Sequence, residues 1–262
     1  MLIGIISDAH EDIVRLEKTL KILKKKKVDK LIFLGDMVGF GVSSYSHFKT
    51  RDANKVADIM KKEFDVVLIG NHDLYAIGKL PTYRGNINFP NDYYSLDYFK
   101  RKKLTGGQVY LYEANQLSPM LTDKNEKYLD SLKEYEIRDY GDYKILFSHY
   151  NYPDFTASFV GKIKKSSELK EHFEFMKEND CLYSFSGHGH VSGIRIFTEK
   201  KSKKIKFNEK YVLPNELVWL NGPTIANGVH KNGFMIFNTE TREIEAIPLK
   251  TKPHTKYGAF KN

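Results

Sequence analysis

The sequence predicts an α/β protein with parallel strands at its heart. Three observations carry that expectation. Short apolar, β-branched runs alternate with stretches of helical periodicity through the N-terminal third. Each of those runs ends at once in an acid, an amide or a histidine, as SDAH, GD and GNHD. The 262 residues, 41% hydrophobic and 29% charged, suffice for one sizeable core.

The elements follow in order. LIGIIS (2–7) reads as a buried strand. Residues 11–27 place Ile13, Leu16, Leu20 and Leu23 at helical spacing and end in four lysines that suit a helix C-terminus. LIFLGD (31–36) is the second strand, and 52–63 is a helix with Val56, Ile59 and Met60 inward. VVLIGNHD (66–73) is the third strand with its exit loop. The segment 74–141 is irregular, aromatic and turn-rich, with helices expected near 92–103 and 122–135; it is expected to shape a substrate pocket. KILFSHY (144–150) is again a strand ending in a polar residue, and 166–178 is a helix. CLYSFS (181–186) is a strand that runs into GHGH. GIRIF, KIKF, LVWL, FMIFN and EIEAI supply the final strands, with a hairpin turn at NTETRE (238–243). No repeat or low-complexity linker interrupts the chain, so a single domain over 1–262 is expected.

Composition narrows the function classes. The net charge of +9 favours anionic partners, yet the excess lies in short lysine runs that read as solvated helix ends and loops. One cysteine, Cys181, forbids an internal disulfide and points to a reducing, cytoplasmic setting. No apolar run reaches the length of a membrane span, and the N-terminus lacks signal-peptide character.

Asp8, His10, Asp36, Asn71, His72, His149, His188 and His190 all stand at the ends of expected strands. In parallel α/β sheets the carboxyl ends of strands are where ligands bind. In FSGHGH, a side-chain period of two lets both imidazoles face one side. His47, His172, His230 and His254 lack this context and are expected on the surface or as satisfied core residues. Carboxylates, imidazoles and an amide together suit two divalent ions about 3.5–4 Å apart with a bridging carboxylate. Mixed nitrogen and oxygen ligation without thiolate favours manganese, iron, cobalt or zinc, with manganese preferred. Water between two such ions becomes hydroxide near neutral pH and attacks phosphorus in line.

The ordered set SDAHED, LGDMVGFG, IGNHDL, FSHYNY and SGHGHV resembles the calcineurin-like metallophosphoesterases. The resemblance implies a four-layer αββα sandwich, two mixed sheets flanked by helices. It implies a metal-dependent phosphatase or phosphodiesterase acting on a small phosphorylated substrate. Asp8, His10, Asp36 and His190 would hold the first metal; Asp36, Asn71, His149 and His188 the second, with Asp36 bridging. His72 would be the general acid and not a ligand. Asp73 could orient an imidazole or cap a helix. LNGPTIANG stands where such proteins often carry a turn before two final strands.

The departures bear on substrate. Glu11 and Asp12 follow the first motif and are expected to start a helix. The second and third motifs lack the arginines with which protein phosphatases of this type grip phosphate, and Arg51, Arg84 and Arg101 are the candidate substitutes. A nuclease of the same superfamily is an alternative, supported by the net charge and by the aromatic, basic stretch from Tyr93 to Lys103. No DNA-binding module accompanies it. The other alternative is a non-catalytic interaction protein on the same fold, like the retromer scaffold subunit; such proteins tend to lose ligands, whereas here every position is filled.

Overall fold

The computed structural model describes residues 1–226, 228–252 and 254. In chain order the first part comprises β1 (Leu2–Ile6), α1 (Ile13–Lys25), β2 (Lys30–Phe33), β3 (Phe40–Gly41), α2 (Ala53–Glu63), β4 (Val66–Val67) and α3 (Asn71–Ala76). The middle comprises α4 (Tyr98–Thr105), β5 (Gln116–Leu117), α5 (Asp123–Asp130), β6 (Tyr135–Asp139), β7 (Lys144–Ser148) and α6 (Lys170–Glu178). The rest is strand: β8 (Cys181–Ser186), β9 (Ile194–Phe197), β10 (Ser202–Ile205), β11 (Lys210–Val212), β12 (Val218–Asn221), β13 (Gly233–Asn238) and β14 (Glu243–Pro248).

Two six-stranded sheets form, in the orders β11-β14-β13-β1-β2-β4 and β10-β9-β12-β8-β7-β6. Both are mixed. β1, β2 and β4 run parallel, and so do β12, β8 and β7, while the flanking strands pair antiparallel. Side chains alternate across each strand, and the alternation builds the layers. Ile3, Ile5 and Ile32 of one sheet share a buried cluster with Phe147, Phe185 and Leu220 of the other. On its outer face the first sheet sends Ile6, Phe33 and Phe234 against Leu16, Val56 and Met60 of α1 and α2. The second sends Leu146, Phe197 and Trp219 against Phe173 and Met176 of α6. Helix, sheet, sheet and helix make the four layers that the motifs imply.

Local chemistry explains the boundaries. Asp12 caps α1, its carboxylate accepting from Arg15 N at 3.0 Å, and Asp52 caps α2 through Lys55 N at 2.9 Å. The turn between β13 and β14 is closed by Asn238, whose Oδ1 accepts from Glu240 N and Thr241 N.

Several expectations shift. The helix expected to run to residue 135 stops at Asp130, and Tyr135–Asp139 instead forms an edge strand beside β7. Tyr135 and Ile137 alternate there with Glu136 and Arg138, a period of two that outweighs helical spacing. The third strand is shorter than VVLIGNHD suggests, because GNHD already opens α3. β10 lies two residues earlier than KIKF. The short strands β3, β5 and β11 have no strong pattern. Residue 227 of LNGPTIANG lies outside the described residues. No helix among the described residues is long and apolar enough to cross a membrane.

Candidate metal centre and active site

The loops that carry the candidate ligands leave β1, β2, β4, β7 and β8 and are laced together by their backbones. Asp8 N donates to Gly35 O at 3.0 Å, His10 N to Asp36 O at 3.1 Å and Glu11 N to Met37 O at 2.9 Å. Gly187 N donates to His149 O at 3.0 Å, which ties the β7 and β8 exits. Asp8, His10, Asp36, His188 and His190 all have positive φ, between 43° and 59°, which few side-chain-bearing residues adopt. His188 and His190 therefore lie beyond β8 in a tight loop, and strand alternation does not orient them. Glycine spacing does. A Cβ on Gly187 would meet Ser7 Oγ at 1.7 Å, and one on Gly189 would meet Asn221 Oδ1 at 2.0 Å. Asn221, from the LNGP stretch, also donates to Ser186 Oγ at 3.0 Å and so holds this loop from the next strand.

The side chains converge in two groups. Donor atoms of Asp8, His10 and His190 lie within 4.8 Å of one another, and so do those of Asp36, His149 and His188. A further grouping joins His72 to His10 and Asp36 at the same range. His190 Nε2 stands 3.0 Å from Asp8 Oδ1. His149 Nε2 stands 3.1 Å from both Asp36 Oδ2 and Asn71 Oδ1. The two histidines of GHGH thus join different groups.

Hydrogen bonds on the far side of the rings aim the inner nitrogens. His10 Nδ1 donates to Gly39 O at 3.0 Å, and His149 Nδ1 to Leu34 O at 2.8 Å. A proton held on Nδ1 leaves the Nε2 lone pair directed inward, the arrangement found in metal-binding histidines. Buried His10 Nε2 and His188 Nε2 have no hydrogen-bond partner among the described residues. One such nitrogen in each group is what a divalent ion would satisfy. The residues present fit divalent-ion binding.

Burial opposes charge on Asp8, yet His190 and His10 hold its carboxyl well below the usual range. Burial likewise opposes charge on Asp36, which His149 and His72 keep ionised. His149 would be lowered by burial, but Asp36 outweighs it and the ring rises to about 9.

The family model for calcineurin-like phosphoesterases matches residues 1–192. The chain belongs to the calcineurin-like phosphoesterase family. An uncharacterised protein of Methanocaldococcus jannaschii is 23% identical over 254 residues, covering 94% of this chain and 86% of that protein. A metallophosphoesterase of Sphaerobacter thermophilus superposes with a TM-score of 0.65 at 20% identity, over 96% of this chain and 89% of that one. A hypothetical protein of Pyrococcus horikoshii superposes at 0.56 and 15% identity, over 97% and 89%. Membership makes a metal-dependent phosphoesterase the activity class, and the Asp and His groupings supply a donor set for divalent ions.

Beside these Asp and His groupings lies a cavity of about 350 Å³, lined among others by Asp36, Asn71, His72, Tyr112, Gln116 and Lys162. His72 is fixed from two sides. Its backbone N donates to Asp36 Oδ1 at 2.9 Å, and its Nδ1 meets Gln116 Oε1 at 2.7 Å. Tyr112 lies tilted against the ring with centroids 4.2 Å apart and receives a hydrogen bond from Asn71 Nδ2. Burial pushes His72 down to about 4.

The candidate arginines are engaged elsewhere. Arg51 pairs with Glu11 at 2.6 Å, Arg101 pairs with Glu113, and Arg84 lies over the Phe89 ring. The cation lining the cavity is Lys162, which carries no motif. Gln116 and Tyr112 were equally silent in sequence, although Tyr110 and Tyr112 alternate in VYLY. Glu11 does not start the helix; it is buried and braces the loop through Arg51 and Gly39 N. Among the described residues Asp73 hydrogen-bonds no imidazole. Its carboxylate accepts from Asp36 N at 2.8 Å, Val38 N at 3.0 Å and Gly70 N at 3.0 Å, stapling the Asp36 loop to the start of α3. His172 is a satisfied core residue, receiving Tyr152 N at 2.9 Å and meeting Ser184 Oγ at 3.0 Å. His47 and His254 are partly buried and hydrogen-bonded, and both approach Asp12.

Proposed function

We propose that the chain hydrolyses small phosphate mono- or diesters with two divalent metal ions, manganese preferred, as one domain over 1–262. Two converging donor groups, each with an unpartnered buried imidazole nitrogen, are the observation that carries this reading. Asp8, His10 and His190 would hold one ion, and Asn71, His149 and His188 the other, with Asp36 shared. When bound, such a pair supplies Lewis-acid polarisation of a phosphoryl oxygen and a nucleophile at neutral pH.

The chain's own residues do the rest. Lys162 faces the cavity and balances phosphate charge. Gln116 and Tyr112 fix the His72 ring, so that its Nε2 is the nitrogen free to protonate the leaving oxygen. The unliganded ring is neutral; a phosphate anion beside it favours the protonated form that this role requires. Residues from 74–141, Tyr110, Tyr112, Asn115 and Gln116, form one wall of the cavity, and we assign substrate choice to that segment.

The cavity volume suits a small molecule better than a polymer, which sets the nuclease reading second. An interaction protein would leave the complete ligand set without a purpose. A single, buried cysteine agrees with a reducing cytoplasm. The test is metal content by elemental analysis, with turnover of nitrophenyl phosphate mono- and diesters in added Mn²⁺. About two ions per chain and turnover support the reading, and the ester ratio narrows the substrate. A metal-saturated chain that turns over neither ester class would sink it.

A further inference from the structure

A fourth grouping with metal-ligand chemistry shares no residue with the three already described. Asp12 caps α1, His47 comes from the loop after β3, and His254 comes from the stretch after β14. One donor atom from each lies within 4.8 Å of the others. The three side chains are 2%, 6% and 6% exposed. We propose that Asp12, His47 and His254 form a separate mononuclear site for a nitrogen-seeking divalent ion such as Zn²⁺.

Tautomers carry the argument. His47 Nε2 lies 3.0 Å from His10 O, and a carbonyl only accepts, so Nε2 bears the proton. The lone pair of the neutral ring is then on Nδ1. That nitrogen is buried without a hydrogen-bond partner among the described residues. Its nearest charged neighbour, Asp12 Oδ2, is 3.9 Å away, too far for a proton on Nδ1 to reach. A lone pair left facing a carboxylate is a costly arrangement unless a cation lies between them. His254 meets the same carboxylate through a hydrogen bond. Its Nδ1 faces Ser46 Oγ at 3.3 Å and its Nε2 faces Asp12 Oδ2 at 2.8 Å. Each ring has an oxygen beside its outer nitrogen, as metal-binding imidazoles do, and an ion would displace the proton that His254 Nε2 now shares with Asp12. The ring centroids are 4.4 Å apart.

Arg15 selects the kind of ion. Its Nε lies 3.1 Å from Asp12 Oδ2, and its terminal nitrogens donate to Ile225 O and Lys252 O. A guanidinium on the shared carboxylate disfavours ions held mainly by charge and by many oxygens, such as Ca²⁺ and Mg²⁺. An ion bound through two imidazoles suffers less. Such an ion would clamp the His254 stretch to the loop that carries His10.

The experiment is zinc titration of the full chain against a chromophoric chelator, for wild type, His47→Ala, His254→Gln and Ser46→Ala. The two ligand variants are expected to bind about one zinc fewer than wild type. Ser46→Ala is expected to keep that ion with affinity lowered about 10–100-fold. His254→Gln can still hydrogen-bond Asp12, so it decides the matter if His47→Ala does not fold. Turnover of His254→Gln with Mn²⁺ is expected to match wild type. Equal zinc number and affinity in wild type and His254→Gln overturn the proposal. The outcome is independent of the catalytic reading: if the dinuclear centre takes no metal, one zinc per wild-type chain, lost in His254→Gln, still supports this site.

Discussion

Gly187→Ala tests the geometry of the centre most directly. The added Cβ would lie 1.7 Å from Ser7 Oγ, 2.6 Å from Ser7 Cβ and 2.8 Å from Asp8 Oδ2. The hydroxyl must retreat by about 1.3 Å to reach the 3.0 Å that real Cβ contacts keep. Ser7 Oγ donates to Asp8 Oδ2, and the same oxygen accepts from His188 N at 3.1 Å. The displacement therefore reaches one residue from each donor group. Misplacing a reacting constellation by ~1 Å costs about 10²-fold in rate, or about 2.7 kcal/mol of transition-state stabilisation. Overpacking should lower stability by about 1–3 kcal/mol without abolishing folding. The assay is kcat/KM on a nitrophenyl phosphate, with metal content and thermal unfolding alongside. Ser7→Gly in the same chain removes the two closest atoms, after which the nearest contact is Asp8 Oδ2 at 2.8 Å, so the double variant should recover most of the lost rate. Wild-type turnover in Gly187→Ala, or no recovery in the double variant, would refute the reasoning.

Asp36→Asn should abolish turnover and lower metal occupancy, because Asp36 is grouped both with His149 and with His10; full metal content with near-normal rates rules out a shared ligand. His72→Ala should keep its metal and slow hydrolysis about 10²–10⁴-fold for a poor leaving group. A very good leaving group should suffer less, and equal losses would show positioning in place of proton donation. In the metal-free chain, His149 rises from its ordinary 6.5 to about 9 against the opposing effect of burial, because Asp36 stands beside it. That contribution to stability is complete below pH 6.5 and is lost as pH climbs through about 9. The melting temperature of the metal-free chain should therefore fall over this window more steeply than that of Asp36→Asn; parallel curves would disprove the coupling.

The parts of the site legible in sequence are those written as short motifs at strand ends. Asp8, Asp36 and His149 each follow an apolar run, so a reading of strands finds them without knowledge of contacts. Residues that reach the centre from irregular segments leave no such mark. Gln116 sits on a two-residue strand, and Lys162 on no regular element, so neither has a periodicity to betray it. The Asp12, His47 and His254 cluster escaped for the opposite reason: its members lie far apart in the chain, and only the fold brings them together. Edge strand β6 was hidden because a charged, half-exposed strand such as Tyr135–Asp139 resembles the polar face of a helix.

Left-handed backbone at Asp8, His10, Asp36, His188 and His190 carries a further consequence. Each such residue costs on the order of 1–3 kcal/mol, and persists only where its surroundings over-determine it. Those surroundings are visible. Asp8 is held through its own N–H to Gly35 and through its carbonyl, which receives Ala226 N at 3.1 Å; His10 is held by Asp36 O. The loop of Asp36 is stapled by Asp73, whose three backbone donors include Asp36 N itself. None of these bonds involves a metal. If these residues bind metal as proposed, the polypeptide shapes their loops beforehand, and an ion entering them would have little ordering cost left to meet. Asp73→Ala isolates that effect, since it removes the staple and touches no ligand side chain. Metal affinity should drop about 10–100-fold, as when a ligand's supporting partner is lost, while the number of ions at saturation stays the same. Unchanged affinity would mean that the ions, and not the chain, shape the loops.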